Sequence, residues 1–143
     1  MEIIVGGVVE KENKYLLVQL AKKNWYGKWD LPAGHLEVNE TILEGAKREI
    51  LEETGCKTEI TGILKIANKK LKDNIILLIM FSTKLMEENI SFDEKEILDV
   101  KWFRYEEIIE MQNELRDYDL IIHAIRAHKE RKIIPLEFVL INE

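Results

Sequence analysis

Three glutamates have the spacing of a possible metal site. Glu49, Glu52 and Glu53 would fall within an arc of about 100° on a helix, so their carboxylates would share one patch. Like charges this close repel and raise one another's pKa unless a cation is present. Magnesium is bound by a few carboxylates together with waters and substrate phosphates. The patch predicts a magnesium site, with a solvated glutamate-rich helix face as the alternative.

The helix that must position these glutamates has clear start and stop signals. Thr41 and Glu44 form a capping-box pattern, and Gly55 is placed for the left-handed residue that ends many helices. We therefore predict a helix at about residues 42–54. Its apolar residues recur at helical spacing and form a narrow stripe that can pack on a sheet: Leu43, Ala46 and Ile50.

A longer motif surrounds the three glutamates. From Gly34 the string GHLEVNETILEGAKREILEETGC fits the pattern G-x5-E-x7-R-E-U-x-E-E-x-G-U, in which U is a bulky aliphatic residue. Only the last position departs, because it holds Cys56. A chance match at the fixed positions is on the order of one in a million. The matching residues are Gly34, Glu40, Arg48, Glu49, Ile50, Glu52, Glu53 and Gly55.

This motif resembles that of the Nudix (MutT-like) hydrolases. The resemblance implies that magnesium or manganese is bound by Glu49, Glu52 and Glu53, and that the backbone carbonyl of Gly34 is a further ligand. It also implies that Arg48 and Glu40 orient this set, as an arginine fork can hold a carboxylate without being a ligand itself.

A further carboxylate precedes the last tryptophan. In several members of the family an acidic residue lies six residues before a tryptophan, and Glu96 stands six before Trp102. Glu96 is therefore a candidate for an extra ligand or for the base. Asp93 and Glu94 lie in the same stretch and are alternatives, as is a purely solvated acidic loop.

The resemblance implies hydrolysis of a diphosphate linked to another group. Metal-activated water would attack phosphorus in a nucleoside di- or triphosphate or a related small pyrophosphate. Most of the chain is also similar to small bacterial Nudix phosphatases that act on such nucleotides and on thiamine-pathway pyrophosphates. Two alternatives are a pyrophosphatase for a thiamine-pathway diphosphate and a ligand-sensing module without catalysis.

An aromatic and basic segment precedes the motif. Trp25 and Tyr26 could stack on a base, and Lys28 could contact a phosphate, so we predict these three as substrate-binding residues. Core packing is the alternative for the aromatic residues, and solvation is the alternative for the lysine.

The other elements alternate between strands and helices. Strands are expected at residues 3–9, 15–20, 58–67, 75–85 and 97–103, with a hairpin joining the first two across 10–14. Helices are expected at 105–112 and 117–131, before an apolar tail at 133–141. We predict an α/β protein of one domain over residues 1–143, with the Nudix-type α/β/α sandwich in which a mixed sheet lies between helices.

Composition excludes several classes of protein. Twenty-seven acidic against 21 basic residues give a net charge of −6, which argues against nucleic-acid polymers, including capped messenger RNA, as ligands. The longest apolar run is far shorter than the roughly 18 residues of a membrane span. A single cysteine excludes an internal disulfide. We expect a cytoplasmic monomer or homodimer that binds a small phosphate substrate and no membrane.

Overall fold

A computed structural model describes residues 1–142. Its nine strands are β1 Glu2–Val8, β2 Glu10–Lys11, β3 Lys14–Leu20, β4 Trp29–Asp30, β5 Ala33–His35, β6 Lys57–Lys70, β7 Ile75–Glu87, β8 Ile97–Arg104 and β9 Ile134–Pro135. Its three α-helices are α1 Ile42–Thr54, α2 Tyr105–Ile109 and α3 Tyr118–Lys129. None of these helices is long and apolar enough to cross a membrane.

A mixed five-stranded sheet lies between two helices. Its order is β5-β1-β7-β6-β9, with β1 and β7 parallel and the other pairs antiparallel. One face of the central strand β7 packs with Ala46 of α1 through Ile79 and Phe81. The other face packs with α3 through Leu78 and Met80. This arrangement confirms the predicted α/β class with helices on both faces.

A second sheet completes the fold. Strand β3 pairs with β2, β4 and β8, and its buried Leu16 and Val18 pack with Ile50 of α1. The predicted hairpin between residues 3–9 and 15–20 is wrong, because β1 lies in the other sheet. Strand β1 is largely buried and forms its backbone hydrogen bonds with β5 and β7. Only β2 continues into β3, through a two-residue turn at Glu12 and Asn13, which have φ of 49° and 65°.

The helix that carries the motif forms where the sequence predicts it. The Thr41 hydroxyl accepts a hydrogen bond from the Glu44 amide, and the Glu44 carboxylate accepts one from the Thr41 amide. The helix ends at Gly55, whose φ is 81°. A Cβ at Gly55 would also lie 1.9 Å from the carbonyl oxygen of Asn89, so glycine is required by both conformation and space.

Candidate active site

A cavity of about 720 Å³ opens beside the C-terminal half of α1. With six carboxylates against one lysine, its lining has a formal charge of −5 when every carboxylate is ionised. The charged residues of this acidic cavity are Lys22, Glu37, Glu49, Glu52, Glu53, Asp93 and Glu96. The structure thus brings the three helix glutamates together with Glu96, which is distant in sequence.

Arg48 ties several of the motif carboxylates together. Its Nε and Nη2 donate to the two oxygens of Glu40 at 2.8 and 2.6 Å, which is the bidentate geometry of a strong pair. Its Nη1 donates to Glu49 at 2.9 Å and to Glu52 at 3.2 Å, and Nη2 also donates to the His35 carbonyl at 3.0 Å. Hydrogen bonding to Arg48 lowers the pKa of Glu40. Arg48 therefore fixes the carboxylates on one side of the cavity.

Glu53 is in a different electrostatic state. Burial raises the pKa of Glu53 to about 8, and one oxygen accepts a hydrogen bond from the Ala33 amide at 3.0 Å. Burial also raises the pKa of Glu49, against the opposing effect of Arg48. The neighbouring negative charges add to both shifts. Ionising these two carboxylates therefore costs free energy in the protein alone.

Close backbone approach explains one glycine of the motif. Gly34 lies in β5, beside β1, and a Cβ there would lie 2.3 Å from the carboxyl carbon of Glu49. Real Cβ atoms never approach so closely, so a side chain at position 34 would displace the Glu49 carboxylate. Glycine here lets the strand backbone and the carboxylate line the same cavity.

Besides α1 and Glu37, the acidic lining comes from residues 88–96. This segment is held at both ends, because the Ser91 amide donates to the Thr54 carbonyl at the end of α1 and the Ala21 amide donates to the Glu96 carbonyl, both at 3.1 Å. Asp93 and Glu96 line the cavity and are exposed, whereas Glu94 is not part of the lining.

The donor set fits a divalent cation. The lining offers hard oxygen ligands, and burial without sufficient positive charge is the condition that a cation relieves. Within residues 1–142, no three acidic, histidine or cysteine side chains already converge as a finished ion site. Binding would therefore draw the carboxylates together, and the exposed Glu52 has the freedom to move.

A narrower pocket adjoins the acidic cavity and shares Lys22, Gly34 and His35 with it. Asp30 and Arg116, which the sequence did not single out, line this pocket with their side-chain atoms 3.7 Å apart. Burial raises the pKa of Asp30 to about 6 against the effect of Arg116. No local spacing marks Asp30, because its burial results from the packing of distant segments. The remaining wall is largely apolar and includes Ile4, Leu31, Ile76, Leu78 and Met80.

The predicted substrate-binding residues lie outside the linings of both cavities. Trp25 and Tyr26 are exposed by 39% and 67%. The Arg116 guanidinium stacks over the Trp25 ring at 5.0 Å, and the Lys28 ammonium donates to the Asn113 carbonyl. A contact of these three residues with substrate stays a prediction.

Comparison with known proteins gives consistent matches. The model of the NUDIX domain family matches residues 2–123. The phosphatase NudJ of Escherichia coli K12 is 32% identical over 141 residues, which covers 96% of this chain and 89% of that protein.

Solved structures give the same result. A NUDIX hydrolase from Nitrosomonas europaea superposes with a TM-score of 0.88 at 28% identity, over 99% of this chain and 97% of that one. A second structure of a NUDIX hydrolase from that organism gives a TM-score of 0.76 at 36% identity, over 92% of this chain and 72% of that one.

Proposed function

The chain belongs to the Nudix hydrolase family, and we propose that it hydrolyses a nucleoside di- or triphosphate, or a related small pyrophosphate, with magnesium or manganese. The observation that carries this proposal is the acidic cavity, in which the half-buried Glu49 and Glu53 lie beside the exposed Glu52. A carboxylate cluster that one arginine compensates only in part costs stability and is of use when a cation binds.

The residues that would hold the cation are Glu49, Glu52 and Glu53, with the Gly34 carbonyl and Glu96 as further candidates. When bound, a divalent cation supplies Lewis acidity and offsets the negative charge of the phosphate oxygens. The fork of Arg48 on Glu40 would keep Glu49 and Glu52 oriented toward the cavity.

The reaction is a displacement at phosphorus. The oxygen of water forms a bond to phosphorus, the bridging P–O bond breaks, and the bridging oxygen leaves with the departing group. The proton of the attacking water goes to a carboxylate, for which we propose Glu96, since it lines the cavity and stands six residues before Trp102. Lys22 lies where the two cavities meet and can pair with a phosphate oxygen.

The adjoining pocket has a volume of only about 70 Å³, and we propose that the group attached to the diphosphate begins there and extends past its rim. Its apolar wall suits the edge of a ring or another weakly polar body. The cations Arg116 and Lys69 in its lining are already paired with Asp30 and Asp117. The similar phosphatase NudJ, which matches nearly the whole chain, supports a small phosphorylated substrate.

Phosphate and pyrophosphate release, measured with and without EDTA, tests the proposal. We expect products only when magnesium or manganese is present, and loss of turnover in Glu52→Gln and in Glu53→Gln. Glu110→Gln is the matched control, because it makes the same chemical change at an exposed residue in neither cavity. Product that is insensitive to EDTA, or full activity in both cavity variants, would contradict the proposal.

The substrate is found by screening nucleotides, nucleotide sugars, dinucleoside polyphosphates and thiamine-pathway diphosphates. Hydrolysis in oxygen-18 water places the label on the phosphorus that is attacked. Label in a product that contains no phosphorus would show that a bond other than P–O breaks.

A further inference from the structure

A cavity of about 790 Å³ lies away from the acidic cavity and shares no lining residue with it. It opens where β2, the end of β7 and the end of α3 meet. Its charged residues are four cations, Lys11, Lys84, Lys129 and Arg131, and two carboxylates, Glu10 and Glu130. With a neutral imidazole at His128, the lining has a formal charge of +2 in a protein of net charge −6. We call it the basic cavity.

Two of its cations have neither an acidic nor an aromatic partner. Lys11 pairs with Glu88, and the Lys129 ammonium lies over the Tyr105 ring without an ion pair, but among residues 1–142 neither Lys84 nor Arg131 has a partner of either kind. Both side chains are exposed at the cavity rim. Two unpaired cations at one opening can receive a dianion without displacing an existing partner.

The backbone at Arg131 strengthens this argument. Arg131 has a φ of 57°, in the left-handed region where glycine is favoured after a helix. A non-glycine residue there is held in a conformation that costs free energy. Glycine at position 131 would give a more stable backbone, but the arginine places a guanidinium at the cavity.

The inner wall of the cavity is rigid and polar. His128 makes hydrogen bonds at both ring nitrogens, from Nε2 to the Glu10 carboxylate at 2.8 Å and between Nδ1 and the Ser82 hydroxyl at 2.9 Å. Because the carboxylate only accepts, Nε2 carries the proton, and Nδ1 of the neutral ring accepts from Ser82. Ser82 is only 1% exposed. These hydrogen bonds therefore position the imidazole, and the serine hydroxyl is not accessible as a nucleophile.

Tyr15 provides an unused donor in the same wall. Its ring meets that of His128 edge to face, with centroids 6.2 Å apart. Its hydroxyl is buried, and no atom of residues 1–142 makes a hydrogen bond with it. A buried polar group without a partner is rare. Because Tyr15 is only 1% exposed, a ligand in the cavity would reach its hydroxyl only after the wall shifts.

We propose that the basic cavity is a second ligand site for an organic phosphomonoester of nucleotide size, separate from the site of hydrolysis. The dianionic phosphate matches the two unpaired cations and the formal charge of the lining. The volume lies in the range of small-molecule sites, and Leu85 and Ile133 form a wall for the organic body. This site needs no metal ion.

Calorimetric titration of the metal-free protein in EDTA with adenosine 5′-monophosphate tests the proposal, with inorganic phosphate as the second titrant. Without a cation, the negatively charged lining of the acidic cavity repels both ligands. We expect the nucleotide to bind more tightly than phosphate. The double variant Lys84→Gln/Arg131→Gln should weaken binding by roughly tenfold or more, and Tyr15→Phe should weaken it less.

Two controls give the result its meaning. Lys47→Gln/Lys70→Gln removes the same charge from exposed positions outside the basic cavity and should leave binding unchanged, as should Glu53→Gln. Arg131→Gly removes the guanidinium together with the backbone strain, so it should weaken binding in a protein that folds at least as stably. Absence of nucleotide binding, equal affinity for phosphate alone, or equal losses in the control variant would overturn the proposal.

The second site stands or falls independently of the proposed hydrolysis. Metal-dependent turnover should survive Lys84→Gln/Arg131→Gln, because neither residue lines the acidic cavity or its adjoining pocket. A protein that binds the nucleotide in EDTA but hydrolyses nothing would support this site and contradict the proposed reaction.

Discussion

The acidic and basic cavities are similar in volume but opposite in charge. The acidic cavity has six carboxylates against one lysine, whereas the basic cavity has four cations against two carboxylates. A phosphate group would be repelled by the first lining and attracted by the second. Under our two proposals, a site that reacts with a phosphate leaves room for cations that act on it, whereas a site that only binds a phosphate provides the positive charge from its own side chains.

The two cavities also store free energy in different ways. In the acidic cavity the cost lies in burying charge, since Glu53 has a pKa of about 8. In the basic cavity it lies in the strained backbone of Arg131 and the unsatisfied hydroxyl of Tyr15. The proposed cation would relieve the cost in the acidic cavity, and a ligand in the basic cavity would give the Tyr15 hydroxyl a partner but would leave the backbone of Arg131 as it is.

The largest effect should come from neutralising one carboxylate of the acidic cavity. We expect Glu53→Gln to reduce turnover by at least roughly a hundredfold, because the amide cannot replace a charged ligand. Nucleotide binding in EDTA should not change. Steady-state kinetics and calorimetry on the same preparation measure both. Equal losses of turnover and of nucleotide binding in EDTA would contradict the separation of the two sites.

The next effect is on stability against pH. Because the pKa of Glu53 rises from an ordinary value of 4.5 to about 8 on folding, the folded protein holds the proton more tightly than the unfolded chain. The stabilisation is complete below pH 4.5 and is lost as the pH rises toward 8. We expect the free energy of unfolding of the metal-free protein to fall by on the order of 3 kcal/mol over this range.

Urea unfolding in EDTA at several pH values measures this loss. In Glu53→Gln the decrease should largely disappear, and near pH 8 the variant should be more stable than the parent. Saturating magnesium should reverse the trend in the parent protein, because the cation binds the ionised carboxylate. An identical pH dependence in the parent and the variant would refute the assignment to Glu53.

Arg48 is the cation that pairs with Glu40, Glu49 and Glu52, whereas Glu53 forms no ion pair within residues 1–142. Arg48→Met should lower the free energy of unfolding by about 2 kcal/mol, because it leaves Glu40 and Glu49 partly buried without their cation. Arg48→Lys should lose less, since it keeps the charge but not the fork. Denaturant titration in EDTA measures both. A parent-like stability in Arg48→Met would mean that the network adds nothing.

The smallest effect should come from the wall of the basic cavity. Tyr15→Phe should leave the melting temperature unchanged or raise it slightly, because the lost hydroxyl has no partner within residues 1–142. The free energy of unfolding should change by less than about 1 kcal/mol. Tyr118→Phe is the matched control, since its hydroxyl donates to the Ile109 carbonyl at 3.1 Å. That change should cost about 1 kcal/mol. Equal losses in both variants would show that Tyr15 is not an unused donor.

Local signals explain which parts of the fold could be predicted. The bounds of α1 follow from Thr41, Glu44 and Gly55, each of which acts within a few residues of itself. The central position of β7 was also predictable, because its residues are apolar on both faces. The spacing of the glutamates fixed their shared face on the helix for the same reason.

Pairing over long distances explains what the sequence did not reveal. Strand β1 pairs with β7 and not with the next strand along the chain, and no local pattern distinguishes these partners. The basic cavity joins residues near positions 10, 84 and 130. Its lining therefore has no linear spacing from which it could be recognised. The burial of Asp30 likewise depends on segments far from it in sequence.

The contact between α1 and residues 88–96 has a practical consequence for redesign. Gly55 lies against the backbone of Asn89, and Ser91 is tied to the carbonyl of Thr54. A loop taken from a relative to change substrate preference would have to keep these two backbone contacts. Without them, its acidic residues would be misplaced relative to the helix. Swaps that include the helix terminus and the loop as one cassette should succeed where exchange of the loop alone fails.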